Sequence, residues 1–585
     1  KTQNQMSELF ADFPEALTNT LEIADKCDLK IKFPIHMPEY KIPQESKSKN
    51  LDEHLEELVW KGIREKYDVI TDEIKERVEF ELTTIKNMGF SDYFLVVYDL
   101  IKAAKDRGIR VGPGRGSAAG SIVSYALNIT AVDPLEGNLL FERFLNPERV
   151  SMPDIDIDFS DERRNEMIQY CQEKYGVNSV AQIITFGKMS SRMVLKDVGR
   201  VMGIPLSEIN RITAKIPSIF GKVLKLKDAL NLADLKYLKE TPDPKIKQFL
   251  ELCSVLEDKN RSIGTHAAGV VITPGDVTDF VPVFQNSKTT DDNIAIATQY
   301  TMNFIEDAGV IKMDFLGLRT LSIIDRTLEL IKLNQNIDLD IDKIDKFDTK
   351  TYELISEGKT IGVFQFESGG MQDYLKKLKP HSLEELTAMN ALYRPGPMAS
   401  IPDYIERKHG RQKTNYLHPI MEPVLKNTYG IIVYQEQVMQ LVQTVGNFTL
   451  GEADILRRAM GKKLRSEVDR MKPKFIQGAE ANGVPGNLAI EIFELIDKFA
   501  DYGFNKSHSY VYSWIAYQTA YLKAHFPAEF LAANMTAELN NQSKIVELID
   551  EAKTFNITIA PPDINTSIAS FTVKNNTIYF GLAAV

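Results

Sequence analysis

Apolar residues recur along this chain with two different periods, one typical of α-helices and one typical of β-strands. Residues 1–30 have helical spacing and predict one amphipathic core helix, whose apolar side carries Leu9, Phe10, Ala16, Leu17, Leu21 and Ile23. Residues 31–48 are interrupted by prolines and predict a linker. Residues 51–108 return to helical periodicity.

Strand-like and helical patterns alternate through the rest of the chain. A glycine-rich turn at 112–120 precedes a short helix, and Asp154–Phe159 predicts a strand. Helices with basic faces are expected across 160–260, with short strands at 269–274 and 309–315. Residues 320–555 predict helices, and the last 25 residues predict a strand pair joined at an Asn-Asn turn. The pattern predicts a multidomain α+β protein.

Composition narrows the class of protein. A length of 585 residues suggests roughly three to five domains, and 43% hydrophobic residues suffice for their cores. No apolar run approaches the ~18–20 residues that span a bilayer. The three cysteines are far apart in sequence, so a disulfide framework or a cysteine zinc site is not expected, and a reducing cytoplasm fits. The chain lacks an initial methionine, and we interpret it as a fragment of a longer protein.

The net charge of −11 argues weakly against nucleic-acid binding, but local charge matters more. Residues 186–227 carry nine Lys or Arg and only two acidic residues, and residues 457–465 carry five basic residues and no acidic one. These two stretches are candidates for phosphate contacts.

The segment PDIDIDF at 153–159 is the sharpest chemical feature. In a strand, Asp154, Asp156 and Asp158 would share one face, while Ile155, Ile157 and Phe159 would share the other. Three like charges on one strand repel each other unless divalent cations lie between them, and Mg²⁺ prefers such oxygen ligands. A solvated edge strand explains the isolated motif equally well.

The turn Gly112–Ser121 strengthens the metal interpretation. Its glycines would let the backbone approach an anion, the N–H groups of the following helix would point at it, and Arg115 would add a charge. An ordinary glycine-rich helix cap is the alternative. A Gly-Ser turn some forty residues before paired aspartates is the arrangement of polymerase-beta-like nucleotidyltransferase palms, which need a third carboxylate on an adjacent strand. Asp314, in the otherwise apolar segment VIKMDF beside Lys312, is the best candidate, although it could instead cap the next helix.

Several further motifs extend a specific resemblance over about residues 50–585. The chain resembles the bacterial DNA polymerase III alpha (DnaE-type, C-family) replicative polymerases in these motifs and in their order: GPGRGS, FERFLNPERVSMPD, PDIDIDF, QIITFG, KMDFLGLRTL, YRPGP, YGIIVYQEQVMQ, LRRAMGKK and YGFNKSHS. QMSELF is similar to a sliding-clamp peptide only superficially, since its spacing is off by one.

The resemblance implies roles for individual residues. Asp154, Asp156 and Asp314 match the catalytic, metal-binding carboxylates, whereas Asp158 is not usually counted as a ligand. Residues expected near the incoming nucleotide are Arg115, Gly116, Ser117, Arg143, Lys312, Arg457, Arg458 and His508. Each basic residue also has a simpler explanation: Arg143 could pair with Glu142 or Glu148, Arg457 and Arg458 could lie on a solvated helix face, and His508 could cap a helix. His266 lies in GTHAAGV, where Thr265 and Ala268 depart from the family pattern, and it is structural or close to substrate.

The resemblance also implies a domain order and a reaction. The expected order is the tail of a PHP domain and a linker at 1–45, palm at 46–185 and 264–318, thumb at 186–263 and fingers at 319–585, with a largely helical thumb and fingers. The implied activity is template-directed DNA synthesis by phosphoryl transfer with two Mg²⁺ ions. Residues 1–265 hold too few histidines for the PHP metal cluster, so no phosphoesterase or proofreading activity is expected.

The implied partners are primer–template DNA and deoxynucleoside triphosphates. The full-length protein would add a sliding clamp, the clamp-loader tau subunit and a proofreading exonuclease, with no membrane. Absence of the family's C-terminal clamp-binding motif and OB-fold from this chain predicts poor processivity. Two alternatives are an error-prone translesion polymerase of the same family and a non-catalytic scaffold that binds primer–template.

Overall fold

A computed structural model describes residues 1–30, 34–149, 152–219, 222–285, 296–500 and 502–585. Val150 and Ser151 of the FERFLNPERVSMPD motif, and parts of the predicted linker and basic stretch, lie outside the described residues. The helices are α1 Gln3–Leu9, α2 Pro14–Asp25, α3 Leu51–Lys66, α4 Asp72–Asn87, α5 Ser91–Asp106, α6 Ile122–Ala126, α7 Phe141–Phe144, α8 Arg164–Tyr175, α9 Ser191–Val201, α10 Leu206–Ala214, α11 Leu226–Ala229, α12 Lys236–Glu240, α13 Pro244–Leu256, α14 Met302–Ile305, α15 Arg319–Gln335, α16 Thr349–Ser356, α17 Gly369–Leu378, α18 Leu383–Leu392, α19 Ile401–Lys408, α20 Glu422–Leu425, α21 Gln435–Gly446, α22 Leu450–Gly461, α23 Arg465–Ala481, α24 Gly486–Ala500, α25 Lys506–His525, α26 Pro527–Ala537 and α27 Gln542–Thr554. The strands are β1 Ile157–Ser160, β2 Val180–Lys188, β3 Ser218–Ile219, β4 Lys222–Val223, β5 Asn260–Ile272, β6 Val283–Gln285, β7 Ile296–Thr301, β8 Lys312–Leu318, β9 Thr558–Ala560, β10 Thr572–Lys574 and β11 Thr577–Tyr579.

A mixed six-stranded sheet organises the centre of the molecule, in the order β1-β8-β5-β2-β7-β6. β1 runs parallel to β8, with Ile157 opposite Phe315, and β5 runs antiparallel to β8, with Gly269 opposite Asp314. Continuing the β1–β8 register back by one residue places Asp156 beside Asp314. The sheet therefore brings together two chain segments about 160 residues apart.

The alternation predicted for PDIDIDF is reflected in burial. Ile155, Ile157 and Phe159 belong to one apolar core that also includes residues of α3, α4, α5 and α8. Helices α9–α13 form a second core of their own between β2 and β5. Helices α15–α19 and α25 share a third core, and α21–α24 share a fourth, so the helical half of the chain consists of more than one packed layer.

Three expectations about the fold were wrong. The strand predicted from Asp154 begins only at Ile157, so Asp154 and Asp156 lie in the segment that leads into β1. The region 160–260, expected to be helical, includes the nine-residue strand β2, which contains the QIITFG motif. Residues 1–30 form two helices, with Pro14 beginning the second, and neither has a buried residue, so they are not a core helix.

The predicted C-terminal strand pair is confirmed. β10 and β11 are antiparallel, and the Asn575-Asn576 turn between them has positive φ at both residues, as a two-residue hairpin of this type requires. β9 adds a parallel third strand. Among the described residues, no helix is both long enough and apolar enough to cross a membrane.

Candidate active site

Three carboxylates meet at one edge of the sheet. Asp154 and Asp156 precede β1, Asp314 lies on β8, and one oxygen from each lies within 4.8 Å of the other two. The side chain of Asp154 is 68% exposed, whereas that of Asp314 is 12% exposed, so the cluster opens to solvent on one side only. Asp158 is buried and faces other partners, as described below.

The electrostatics of this cluster favour a bound cation. Burial and the charges of Asp154 and Asp314 raise the pKa of Asp156 to about 6. Lys312 partly balances these charges, with its Nζ 3.0 Å from Asp154 Oδ1 and 2.9 Å from Asp314 Oδ2. Asp314 Oδ1 is buried and has no hydrogen-bond partner among the described residues. Hard carboxylate oxygens, one of them unsatisfied, are a donor set that fits Mg²⁺.

The glycine-rich turn packs directly on β1. Gly112 donates its N–H to Asp158 O at 2.8 Å, and a Cβ at Gly112 would lie only 3.0 Å from Asp158 Cβ, so glycine allows this close packing without a shift of the strand. Gly116 has a φ of +64°, and a Cβ at this position would lie 3.9 Å from Asp156 Oδ2. The turn therefore lies beside the carboxylate cluster.

The helix after this turn does not offer its N-terminus to a phosphate, contrary to the expectation from sequence. Glu81 of α4, fully buried, accepts hydrogen bonds from the N–H groups of Ile122 and Val123 and from Ser121 Oγ. Arg77 binds the same carboxylate at 2.6 Å. Because a protein carboxylate already occupies this helix end, any phosphate must be bound by other groups.

Arg115 belongs to a compact cluster that joins the turn to α25. Its guanidinium lies 3.4 Å from Asp156 Oδ2 and 3.6 Å from Asp158 Oδ1, and it donates to Tyr512 Oη at 2.6 Å. Tyr512 in turn donates to Asp158 Oδ2 at 3.1 Å. Asp158 is thus held by Arg115 and Tyr512, which accounts for its absence from the carboxylate cluster.

His508 completes the contact between the turn and α25. Its Nδ1 accepts the N–H of Gly116 at 3.2 Å, and its ring lies 4.2 Å from that of Tyr512. Burial and the charge of Arg115 lower the pKa of His508 to about 4. The imidazole is therefore neutral at physiological pH, as an Nδ1 acceptor must be.

A group of arginines forms the opposite wall. Arg457 donates to Asp454 at 2.6 Å, and Arg149 binds the other oxygen of the same carboxylate at 3.0 Å. Asp454 is fully buried, so these two guanidiniums are fixed. Burial and the nearby charge of Arg457 lower the pKa of Arg143.

A cavity of about 390 Å³ lies between the two walls. Most residues predicted from sequence line it: Gly116, Ser117, Arg143, Asp154, Asp156, Lys312 and Arg458. Three other predicted residues contact residues that line the cavity. Asp314 belongs to the carboxylate cluster, Arg115 lies beside Asp156, and His508 accepts the N–H of Gly116. Negative charge on one side and positive charge on the other suit a metal-bound polyphosphate.

Comparison with known proteins identifies the family. The family described as bacterial DNA polymerase III alpha NTPase domain matches residues 53–317, and the bacterial DNA polymerase III alpha subunit finger domain matches residues 320–483. Similar proteins include DNA polymerase III subunit alpha of three bacteria, each matched over all of this chain. The protein of Borreliella burgdorferi is 50% identical and is covered over 50% of its own length, and that of Treponema pallidum is 47% identical and covered over 49%. The protein of Escherichia coli strain K12 is 44% identical and covered over 52%. The chain belongs to the bacterial DNA polymerase III alpha family. It spans about half the length of the curated relatives it matches.

The geometry also bears on the simpler explanations for the basic residues, namely an ion pair for Arg143, a solvated helix face for Arg457 and a helix cap for His508. Arg457 is 9% exposed, so it does not lie on a solvated helix face. His508 does not cap α25, because Asn505 does so by accepting the N–H of His508. Arg143 donates its Nε to Gln435 at 2.9 Å.

His266 has a local role beside Asp314. Its Nδ1 accepts the N–H groups of Ala268 and Gly269, and Gly269 is paired with Asp314 in the sheet. A Cβ at Gly269 would lie 3.0 Å from His266 Nδ1 and 3.3 Å from Asp314 Oδ1. These contacts favour the structural interpretation of His266.

Sequence reasoning missed several residues that hold this candidate site together. They are Gln435, Asp454 and Tyr512, which contact predicted residues, and Glu81, which holds the helix that follows the glycine-rich turn. None carries a phosphate-binding signature of its own. Gln435 and Asp454 lie within or beside the motifs YGIIVYQEQVMQ and LRRAMGKK. A close search for polar residues within and beside these motifs could have found these two.

Proposed function

We propose that this chain catalyses template-directed DNA synthesis, adding deoxynucleotides to a primer 3′-hydroxyl, as the core of a replicative polymerase alpha subunit. The observation that carries the proposal is the convergence of Asp154, Asp156 and Asp314 within 4.8 Å, facing an arginine-lined wall across a cavity. Family membership supports the same reaction.

The proposed chemistry is in-line attack of the primer hydroxyl on the α-phosphate, with pyrophosphate leaving. Asp154, Asp156 and Asp314 would hold two Mg²⁺ ions, which would supply activation of the hydroxyl and charge neutralisation on the triphosphate. Before metal binds, the positive charge of Lys312 reduces the repulsion between the carboxylates. The arginine wall orients the triphosphate, so most of the rate enhancement would come from positioning and electrostatics.

The remaining predicted residues have roles on the nucleotide side. Arg143 and Arg458 line the cavity, and Arg457 lies behind them with its guanidinium fixed on Asp454. Gly116 and Ser117 would approach the phosphates from the turn. His508, neutral and adjacent to Tyr512, is suited to contact the sugar.

We further propose that the six-stranded sheet is a polymerase-beta-like palm, formed by residues 46–185 and 264–318. In this division, 186–263 is the thumb and 319–585 the fingers, with 1–45 the PHP tail and linker. The separate core of α9–α13 supports a distinct thumb. Its basic residues would contact primer–template phosphates, so DNA binding should weaken steeply with salt.

The biological setting follows from the family. The protein would act in the cytoplasm and, at full length, work with a sliding clamp, the tau subunit and an exonuclease. The three cysteines are free thiols, which fits a reducing compartment. No observation favours the translesion or scaffold alternatives, and a scaffold would not need three converging carboxylates.

Substitution of one metal-binding carboxylate tests the proposal. Asp156→Asn keeps the shape of the side chain but removes its charge, so primer extension should fall at least about a hundredfold while DNA binding changes little. The matched control is Asp68→Asn, at an exposed position, which should extend primers normally. Extension by Asp156→Asn at a rate near that of the parent protein, across a Mg²⁺ titration, would refute the metal-site assignment.

A further inference from the structure

Gln435 connects two arginines of the proposed triphosphate wall. Its Oε1 accepts a hydrogen bond from Arg143 Nε at 2.9 Å and another from Arg457 at 3.2 Å. Its Nε2 donates to Gly503 O at 3.2 Å. Because a carbonyl can only accept, this last bond determines which end of the amide faces the arginines.

The side chain of Gln435 is confined where it stands. The backbone N–H of Gln435 donates to Phe504 O at 2.8 Å. A Cβ at Gly503 would lie 3.2 Å from Gln435 N and 3.3 Å from its Cγ, so the loop carrying Gly503 presses against the glutamine. The acceptor that faces the two guanidiniums is therefore fixed before any ligand binds.

The charge of the acceptor distinguishes this contact from an ordinary ion pair. Arg143 and Arg457 repel each other. Of the carboxylates near them, Asp454 binds both Arg457 and Arg149, whereas Glu436 accepts the N–H of Lys506 with Oε2 and its Oε1 has no hydrogen-bond partner among the described residues. A glutamate at 435 could accept the same two hydrogen bonds, but it would cancel one positive charge. The neutral amide orients both arginines and leaves their charge for a ligand.

We propose that Gln435 is a positioning residue that holds Arg143 and Arg457 in register for the nucleotide triphosphate. The proposal rests on the proposed polymerase function and deepens it. Gln435 acts through the two arginines and does not itself contact the nucleotide. It also links them to the loop at Gly503, which precedes the helix carrying His508.

Nucleotide binding without chemistry provides the test. The Kd of the complementary deoxynucleoside triphosphate is measured on the protein bound to primer–template with a dideoxy-terminated primer, which cannot be extended. Gln435→Ala should raise this Kd about tenfold, the loss expected for hydrogen bonds to charged groups. Gln435→Glu should also raise it, and should make log Kd depend less on log salt concentration, because one positive charge is cancelled. In steady-state extension, KM should rise by a larger factor than kcat falls.

Two comparisons separate positioning from a loss of folding. Gln443→Glu introduces the same charge at an exposed position on the same helix and should leave Kd unchanged. The effect of Gln435→Ala should shrink in an Arg457→Ala background, since part of its action passes through Arg457.

The proposal is overturned if Gln435→Ala binds the nucleotide within twofold of the parent protein. It is also overturned if kcat falls with KM unchanged. Either result would leave the polymerase assignment intact as long as Asp156→Asn abolishes extension. Persistent extension by Asp156→Asn would instead remove the function on which the proposal rests.

Discussion

Replacement of Glu81 by glutamine should loosen the glycine-rich turn, although Glu81 is distant in sequence from the residues that line the cavity. The buried carboxylate accepts four hydrogen bonds, from Arg77, Ser121 Oγ, and the N–H groups of Ile122 and Val123. A glutamine keeps one oxygen and turns an NH₂ group toward donors, so two of these donors lose their acceptor. Each unsatisfied buried donor costs about 1–3 kcal/mol, so the loss of two acceptors should cost the local structure about 2–6 kcal/mol.

Hydrogen exchange measures this loss where it occurs, since a multidomain chain has no single free energy of unfolding. A loss of about 2–6 kcal/mol should accelerate exchange of the amides around Ile122 and Val123 by roughly 30-fold to 25,000-fold, up to the limit set by global unfolding. Glu79→Gln, at an exposed position on the same helix, should leave exchange unchanged. Acceleration of less than threefold in the Glu81 variant would show that the carboxylate does not hold the helix end.

Two further predictions concern protonation and packing. Burial lowers the pKa of His508 to about 4, below the ~6.5 of an unfolded histidine. The contribution of His508 to stability is therefore present above about pH 6.5 and is lost as pH falls toward 4. His508→Gln should flatten the pH dependence of Tm in that window, and an equally steep dependence would refute the burial argument. A Cβ at Gly62 would lie 2.0 Å from Ala126 O, so Gly62→Ala should lower Tm by several degrees, whereas Gly275→Ala, with no atom within 4 Å, should change it little. Equal Tm values for the two alanine variants would contradict this account.

The sequence was most informative where local chemistry was unusual. Three aspartates within five residues and one aspartate in an apolar strand are costly patterns without a function, and Asp154, Asp156 and Asp314 do lie together. The apolar alternation of Ile155, Ile157 and Phe159 gave the buried face correctly. What it could not give was the start of β1, because the residues before Ile157 follow the same alternation without pairing to a neighbouring strand.

The supporting contacts were beyond sequence reasoning because they join distant segments. Glu81 reaches a helix end about 40 residues later, and Tyr512 reaches Asp158 across 354 residues. Helical spacing places Glu81 on the buried face of α4 with Val78 and Ile85, but it does not identify the donors that the carboxylate meets there. Likewise, the apolar residues of α2 follow a core-like pattern but remain exposed, because amphipathic spacing does not identify what covers a helix.

The parallel pairing of β1 with β8 also determines when the carboxylate cluster can exist during synthesis of the chain. Asp156 is translated about 160 residues before Asp314, and the helices α9–α13 emerge between them. Until the segment ending at Leu318 has left the ribosome, β1 lacks the strand it pairs with, and the nascent protein holds two carboxylates of the cluster without the third. The core of α9–α13 can pack in that interval, so this module would fold before the carboxylate cluster forms.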